Sequence, residues 1–235
     1  CKEKVSGFFL QKELNFLKYK IDKSEGPFVA IIGGSKVSDK IKLLNKLMPK
    51  IDHLIIGGGM AFTFLYGINY IEIGDSLFDS EGYKLLNNIY DSANINNVEI
   101  HLPEDTIIAD NFSNDSNYKI SEGDIDEKWM GLDIGPKTVE KFSNIIKDCK
   151  TILWNGPMGV FEFDNFKNGS IGIAESIKLA TKNGSTSIVG GGDTSSFIIN
   201  SGYFDDITHV STGGGSSLKL LEEGTLAGID FLDDL

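Results

Sequence analysis

Thr186-Ser187-Ile188-Val189-Gly190-Gly191-Gly192-Asp193-Thr194 runs from an apolar, β-branched stretch into three consecutive glycines and then into the polar start of a helix. The same passage from strand to glycine turn recurs at Leu54-Ile55-Ile56-Gly57-Gly58-Gly59-Met60 and at His209-Val210-Ser211-Thr212-Gly213-Gly214-Gly215-Ser216. Glycine has no Cβ, so successive amides in such a turn can converge on an anion at the start of the next helix, where the dipole also favours negative charge. One triplet alone is equally well a tight strand-to-helix turn. Three on one chain point to a long polyphosphate ligand.

Outward from these turns, strands and helices alternate. Residues 28–32, 53–56, 98–102, 106–109, 151–154, 186–189 and 209–211 read as strands, and 38–48, 61–66, 81–93, 138–149, 172–183, 194–201 and 216–223 as helices. That alternation predicts an α/β fold, a Rossmann-like, doubly wound and mostly parallel sheet with helices on both faces and ligands at the carboxyl ends of the strands. Residues 6–20 space their apolar side chains by three and four, which predicts a helix whose greasy face something must cover. We expect residues 1–25 to be a lead-in helical segment and 26–235 the α/β domain. The polar stretch 110–126, rich in Asn, Asp and Ser, reads as an exposed loop.

The 235 residues carry 22 lysines, no arginine and 34 acidic side chains, for a net charge of -12. That balance argues against a nucleic-acid or membrane-surface partner, and an anionic ligand must be held locally by amides and a few lysines. Only Cys1 and Cys149 are present, with no Cys/His spacing suited to zinc, so neither a disulfide framework nor a structural metal is indicated and a cytoplasmic setting is expected. There is no signal peptide and no apolar run of transmembrane length. The start at Cys1, without an initiator Met, suggests a piece of a longer protein.

Three stretches could carry chemistry. In Gly33-Gly34-Ser35-Lys36-Val37-Ser38-Asp39-Lys40 the two lysines lie one helical turn apart and could grip successive phosphates, or could be ordinary solvated residues at a helix start. Asp193, between three glycines and Thr194, suits a Mg²⁺ held through phosphates and water, and is equally a candidate helix cap. Trp154-Asn155-Gly156-Pro157-Met158-Gly159-Val160-Phe161-Glu162 offers small apolar groups and a carboxylate, as a nucleoside requires, though alone it reads as a packed loop. His53, His101 and His209 are scattered and read as structural. The absence of GxGxxG, GxSxG and HExxH counts against NAD enzymes, α/β-hydrolases and zincins.

Read in order, residues 33–40, 57–65, 154–162, 190–194 and 211–215, together with Trp129-Met130-Gly131-Leu132-Asp133-Ile134-Gly135-Pro136, closely resemble the carboxy-terminal half of phosphoglycerate kinase, over essentially the whole chain. The resemblance implies the ADP/ATP-binding domain of a monomeric, two-domain glycolytic kinase that moves a phosphoryl group between 1,3-bisphosphoglycerate and ADP. By motif, Lys36 and Lys40 would hold the transferring group and the nucleotide phosphates, beside Ser35, where the family has alanine. Gly58, Gly59, Gly131, Leu132 and Val160 would line the adenine slot, Asn155 and Pro157 would border the nucleotide, and Glu162 would take the ribose hydroxyls. Asp193 would hold Mg²⁺, with Gly192 and Thr194 at the phosphates, and Gly213, Gly214 and Gly215 would receive the phosphoryl group. The 3-phosphoglycerate site and a catalytic arginine would lie on an absent amino-terminal domain, so the chain alone is expected to turn over little. Residues 224–235 resemble the family's natural end. A nucleotide-binding module without catalysis and an unrelated Rossmann-like dehydrogenase remain as alternatives.

Overall fold

The computed structural model describes residues 5–226 and residue 229; Cys1 and most of the stretch 224–235 lie outside the described residues. In chain order the strands are β1 (Phe28–Ile32), β2 (His53–Ile56), β3 (Glu99–His101), β4 (Thr106–Ala109), β5 (Tyr118–Ser121), β6 (Met130–Ile134), β7 (Thr151–Asn155), β8 (Thr186–Gly190) and β9 (His209–Val210). The helices are α1 (Phe8–Leu14), α2 (Ile41–Leu47), α3 (Met60–Asn69), α4 (Ser80–Asn96), α5 (Pro136–Ile146), α6 (Asn168–Lys182), α7 (Gly192–Asn200) and α8 (Gly215–Glu223). A π-helical stretch, Asn15–Lys20, continues α1, and a 3₁₀ turn, Ser38–Lys40, precedes α2.

Six strands form one sheet in the order β3-β2-β1-β7-β8-β9, and every pairing in it is parallel. The chain begins at the centre, works outward to β3, and returns to lay β7 beside β1 before working outward the other way. Strands buried on both faces need unbroken apolar sequence, and Phe-Val-Ala-Ile-Ile of β1 supplies it. Phe28, Ala30 and Ile32 face a core built with α2, α3, α4 and α8, while Val29 and Ile31 face a second core with α5, α6 and α7. Trp154, Phe28, Phe64 and Phe142 are fully buried between these layers, each contributing on the order of 2–3 kcal/mol relative to exposure. None of the helices among the described residues is long and apolar enough to cross a membrane.

One expectation needs correction. Residues 110–126 are not wholly a loop: β5 pairs antiparallel with β4, which pairs antiparallel with β6, giving a second sheet in the order β5-β4-β6. The edge strand Tyr-Lys-Ile-Ser is only four residues long, has no buried residue and is set among Asn, Asp and Ser, so its short apolar alternation does not stand out.

The greasy face of the first helical segment is covered only in part by its own domain, and Phe8 and Phe9 stay exposed. Leu17 and Ile21 are buried in the α8 layer. Glu13, only 5% exposed, accepts a hydrogen bond from Ser211 Oγ at 2.6 Å, and its Oε1 lies 3.2 Å from His209 Nε2, an ion-pair distance off the line of a good hydrogen bond. The His209 ring stacks on Phe16 at 4.5 Å between centroids. The segment expected as a separate lead-in is therefore fastened to the turn that follows β9.

Burial pushes the Glu13 carboxyl up, but contacts with His209, Ser211 and Ser217 outweigh it and hold it below the ordinary value of 4.5. A depressed acid stabilises the fold above its unfolded value and loses that contribution as pH falls through its folded one. Stability of the wild type in urea should therefore drop as pH falls below 4.5, with a shallower drop in Glu13→Gln. At neutral pH, Glu13→Ala should cost about 1–3 kcal/mol, as leaving buried polar groups such as the Ser211 hydroxyl without their partner does, whereas Phe8→Ser, on a side chain 91% exposed, should cost little. Similar losses from the two substitutions would contradict the fastening described.

Candidate functional site

The turns after β1, β2 and β7 are joined backbone to backbone. Gly33 N–H donates to the Asn155 carbonyl at 2.9 Å, Gly34 N–H to Pro157 at 3.2 Å, Gly58 N–H to Met158 at 3.1 Å, and Met60 N–H to Gly34 at 2.9 Å. The approach leaves no room for side chains: a Cβ on Gly33 would sit 2.2 Å from the Pro157 carbonyl oxygen, and one on Gly156 the same distance from that of Gly33. Gly156 also has φ +99, a left-handed conformation that glycine adopts without strain. β1 and β7 are the neighbours between which strand order reverses, where open α/β sheets bind their ligands.

Two cavities open at this junction. One, of about 530 Å³, is an apolar slot whose lining includes Gly58, Gly59, Phe62, Leu132, Val160 and Phe161, with Glu162 among its wall residues. Gly131 N–H is held by Ser76 Oγ at 2.9 Å, and a Cβ on Gly131 would lie 1.9 Å from Phe62 Cζ, so only glycine lets the ring pack against that strand. The other, of about 310 Å³, is a polar trough whose lining includes Lys36, Lys40, Asn155, Gly192, Gly214 and Gly215. The cavities share Gly34, Ser35, Pro157 and Asp193 as common wall. A ligand with a flat apolar end and an anionic tail has a continuous path between them.

The two lysines differ in setting. Lys40 Nζ donates to Asn155 Oδ1 at 2.6 Å, and burial holds its ammonium below the ordinary 10.5, with the carboxylates of Glu222, Asp39 and Asp193 pulling the other way. Lys36 is exposed, in the loop before the 3₁₀ turn rather than within a helix, and makes no hydrogen bond or ion pair among the described residues. Asn155 Nδ2 is buried with no acceptor, close to Gly191. An amide hydrogen left unpaired inside a protein costs about 1–3 kcal/mol, a cost an anionic ligand oxygen in reach of it would relieve.

Of the residues expected at the site, Ser35, Lys36, Lys40, Asn155, Pro157, Gly192, Asp193, Thr194, Gly214 and Gly215 border the trough, and Gly58, Gly59, Gly131, Leu132, Val160 and Glu162 border the slot. Two of these expectations are qualified. Gly213 is not among the trough's lining residues; its N–H donates to Ser211 Oγ at 3.3 Å. Thr194 Oγ1 accepts the Gly156 N–H at 2.7 Å, so this hydroxyl also fastens α7 to the turn after β7.

Phe62, Leu77 and Ser76 were not singled out from sequence, nor was Asp133. Asp133 accepts N–H groups from Gly169 at 2.7 Å and Ile134 at 2.9 Å, and burial pushes its carboxyl up to about 8 against those bonds. A lone carboxylate between Leu132 and Ile134 in an apolar strand was the available signal. His209 is buried against Phe16 and Glu13, away from both cavities' linings; His53 and His101 meet at the far side of the sheet, 3.2 Å apart.

A family model described as phosphoglycerate kinase matches residues 1–224. The chain is 49% identical over 234 residues to phosphoglycerate kinase of Schistosoma mansoni, covering 99% of this chain and 56% of that protein, and 48% identical to that of Plasmodium falciparum, covering 96% and 55%. The solved structure of phosphoglycerate kinase from Coxiella burnetii superposes with a TM-score of 0.88 at 37% identity, over 94% of this chain and 56% of that one. The chain thus spans a little over half the length of these relatives. A family model that matches residues 1–224 of the 235, and a sheet, slot and trough carried on a backbone that superposes on a solved kinase, make this chain a member of the phosphoglycerate kinase family.

Proposed function

We propose that the chain binds Mg-ADP and Mg-ATP across the joined cavities and serves as the nucleotide half of a kinase that transfers a phosphoryl group reversibly between 1,3-bisphosphoglycerate and ADP. The observation that carries this reading is the common wall of Gly34, Ser35, Pro157 and Asp193, which lets one molecule fill the apolar slot and the cationic trough together. Adenine would lie against Gly58, Gly131, Leu132 and Val160, with Glu162 accepting from ribose hydroxyls. The phosphates would run past Asp193 towards Lys40, Asn155 and the amides at Gly214 and Gly215.

Asp193 fits a magnesium site on its chemistry. It is an exposed carboxylate in the first turn of α7, on the wall common to both cavities, and Mg²⁺ binds through one or two carboxylates plus phosphate oxygens. Held by Asp193, the ion would supply neutralisation of phosphate charge. Positioning and electrostatic stabilisation make up most of such catalysis, so the roles of this chain are to orient and to shield. In the direction of ATP synthesis a β-phosphate oxygen of ADP bonds to phosphorus as the acyl carboxylate leaves. Lys36, without a hydrogen bond or ion pair among the described residues, would meet the moving group, while Lys40, braced by Asn155, would hold phosphates that stay with the nucleotide.

With no arginine in the chain, the guanidinium often used in this chemistry, and the site for the carboxylic substrate, would lie on the part of the relatives that this chain does not cover. A cytoplasmic setting belongs to the same reading. It accords with Cys149, a buried free thiol that burial, with Asp52 and Asp148, pushes up to about 12 and so keeps inert.

Calorimetric titration of the chain with ADP tests the reading: saturable one-to-one binding should be tighter with Mg²⁺ than in EDTA, and Asp193→Asn should abolish the gain from Mg²⁺ while leaving the EDTA affinity nearly unchanged. An equal loss in both buffers would make Asp193 a helix cap instead, and no binding of ADP or ATP would overturn the whole reading.

The lysines give a second test. Lys40→Ala should weaken ADP and ATP alike, by about tenfold for one charge-assisted contact. Lys36→Ala should weaken ATP more than ADP, because its ammonium lies nearest the terminal phosphoryl group. Identical profiles for the two variants would refute the division of roles.

A further inference from the structure

On the face of the sheet that carries α5, at the edge away from the cleft, three metal-ligating side chains converge. His53 opens β2, Glu99 lies opposite it in the register of β3, and His101 is two residues on from Glu99 and so on the same face of the strand. His53 Nδ1 is 3.2 Å from His101 Nε2, and Glu99 Oε2 is 3.6 Å from the first and 3.8 Å from the second. All three ligand atoms lie within 4.8 Å of one another, the one such cluster of three among the described residues. It escaped notice in sequence because 46 residues separate the partners that parallel pairing of β2 and β3 brings side by side.

We propose that His53, Glu99 and His101 form a binding site for a divalent transition ion of the zinc class. Zinc bonds of about 2.0–2.1 Å at tetrahedral angles set neighbouring ligand atoms about 3.3–3.4 Å apart, and the three separations here bracket that value from 3.2 to 3.8 Å. Two imidazoles and one carboxylate suit zinc and its neighbours, whereas Mg²⁺ prefers oxygen ligands alone. The carboxylate is 72% exposed, so it can swing onto an ion without cost to the core, and the fourth position stays open to water. The His53 side chain is 26% exposed and that of His101 15%, so the two nitrogens are held by the sheet while the ion has access from solvent.

Lys141 of α5, whose charge acts on His101, is engaged elsewhere: its Nζ pairs with Glu104 at 2.8 Å and donates to the Leu102 carbonyl at 3.2 Å. An ion bound here would tie the edge strand β3 to β2 through side chains as well as backbone. The segment that follows β3 reaches the nucleotide slot through Pro103, so the bound ion would stiffen one of its walls.

Cobalt and zinc titrations of metal-stripped protein test this. Co²⁺ should give the visible ligand-field absorption of a four-coordinate site, saturating at one equivalent and displaced by Zn²⁺ but not by excess Mg²⁺. Zn²⁺ should raise the thermal unfolding midpoint. Glu99→Gln, on an exposed side chain, and His101→Val should each weaken binding at least about tenfold, while Asp193→Asn in the cleft leaves it unchanged. Absence of saturable binding, binding unaffected by Glu99→Gln, or binding lost with Asp193→Asn would each overturn the proposal.

Discussion

The structure depends on how closely three strand-end turns approach. Gly33 and Gly156 let the backbone after β1 and the backbone after β7 touch without intervening side chains, and the carbonyls of Asn155, Pro157 and Met158 receive amides from the turns after β1 and β2. The two halves of a doubly wound sheet would otherwise diverge at the switch point, because each strand twists away from its neighbour. Joined in this way, the turns hold a shared wall, and the apolar slot and polar trough become one cleft. The approach leaves little freedom for substitution, since protein interiors are close-packed and a single methyl group has no space into which to move.

Electrostatics follow from that geometry. A chain of net charge -12 repels polyphosphate at long range, so attraction must come from groups at contact distance. Among the described residues the trough supplies two lysines, one braced and half-buried and one without a partner, together with an unpaired buried amide and helix N-termini at Gly192 and Gly215. Lys40 and Asn155 illustrate pre-organisation: their 2.6 Å bond holds the ammonium in the trough before any ligand arrives, which lowers the ordering cost of binding. The fastening of the first helix through Glu13 to His209 and Ser211 brings a further element up against the glycine turn at 213–215. The position of that turn is thereby coupled to a segment distant in sequence.

Much of this was legible in the residues. Apolar runs ending in glycine located the central strands, and the rule that ligands sit at the carboxyl ends of parallel strands pointed to the glycine turns where the two cavities open. What sequence did not reveal has physical causes. β5 alternates Tyr118 and Ile120 with Lys119 and Ser121, but over only four residues without a buried face, set in a run of Asn, Asp and Ser, the alternation is too short to mark a strand. β6 was quoted as a motif but not as a strand, because Gly131 and Asp133 break its apolar pattern for reasons set by tertiary contacts with Phe62 and the start of α6. The meeting of His53 with His101 depends on register between distant strands, which local periodicity does not encode. The π-helical continuation at Asn15–Lys20 keeps the outward periodicity of a helix and is invisible to it.

The central claim is that slot and trough act as one site for one nucleotide. Amide chemical shifts followed by NMR during titration with Mg-ADP, with adenosine and with inorganic pyrophosphate test it most directly. Mg-ADP should move the resonances of Gly131, Leu132 and Val160 together with those of Gly192, Asp193 and Gly214, along a single binding curve. Adenosine should perturb only the first group and pyrophosphate only the second. If Mg-ADP moved one group and left the other still, or moved the two with different affinities, the cavities would be separate sites and the account would be wrong.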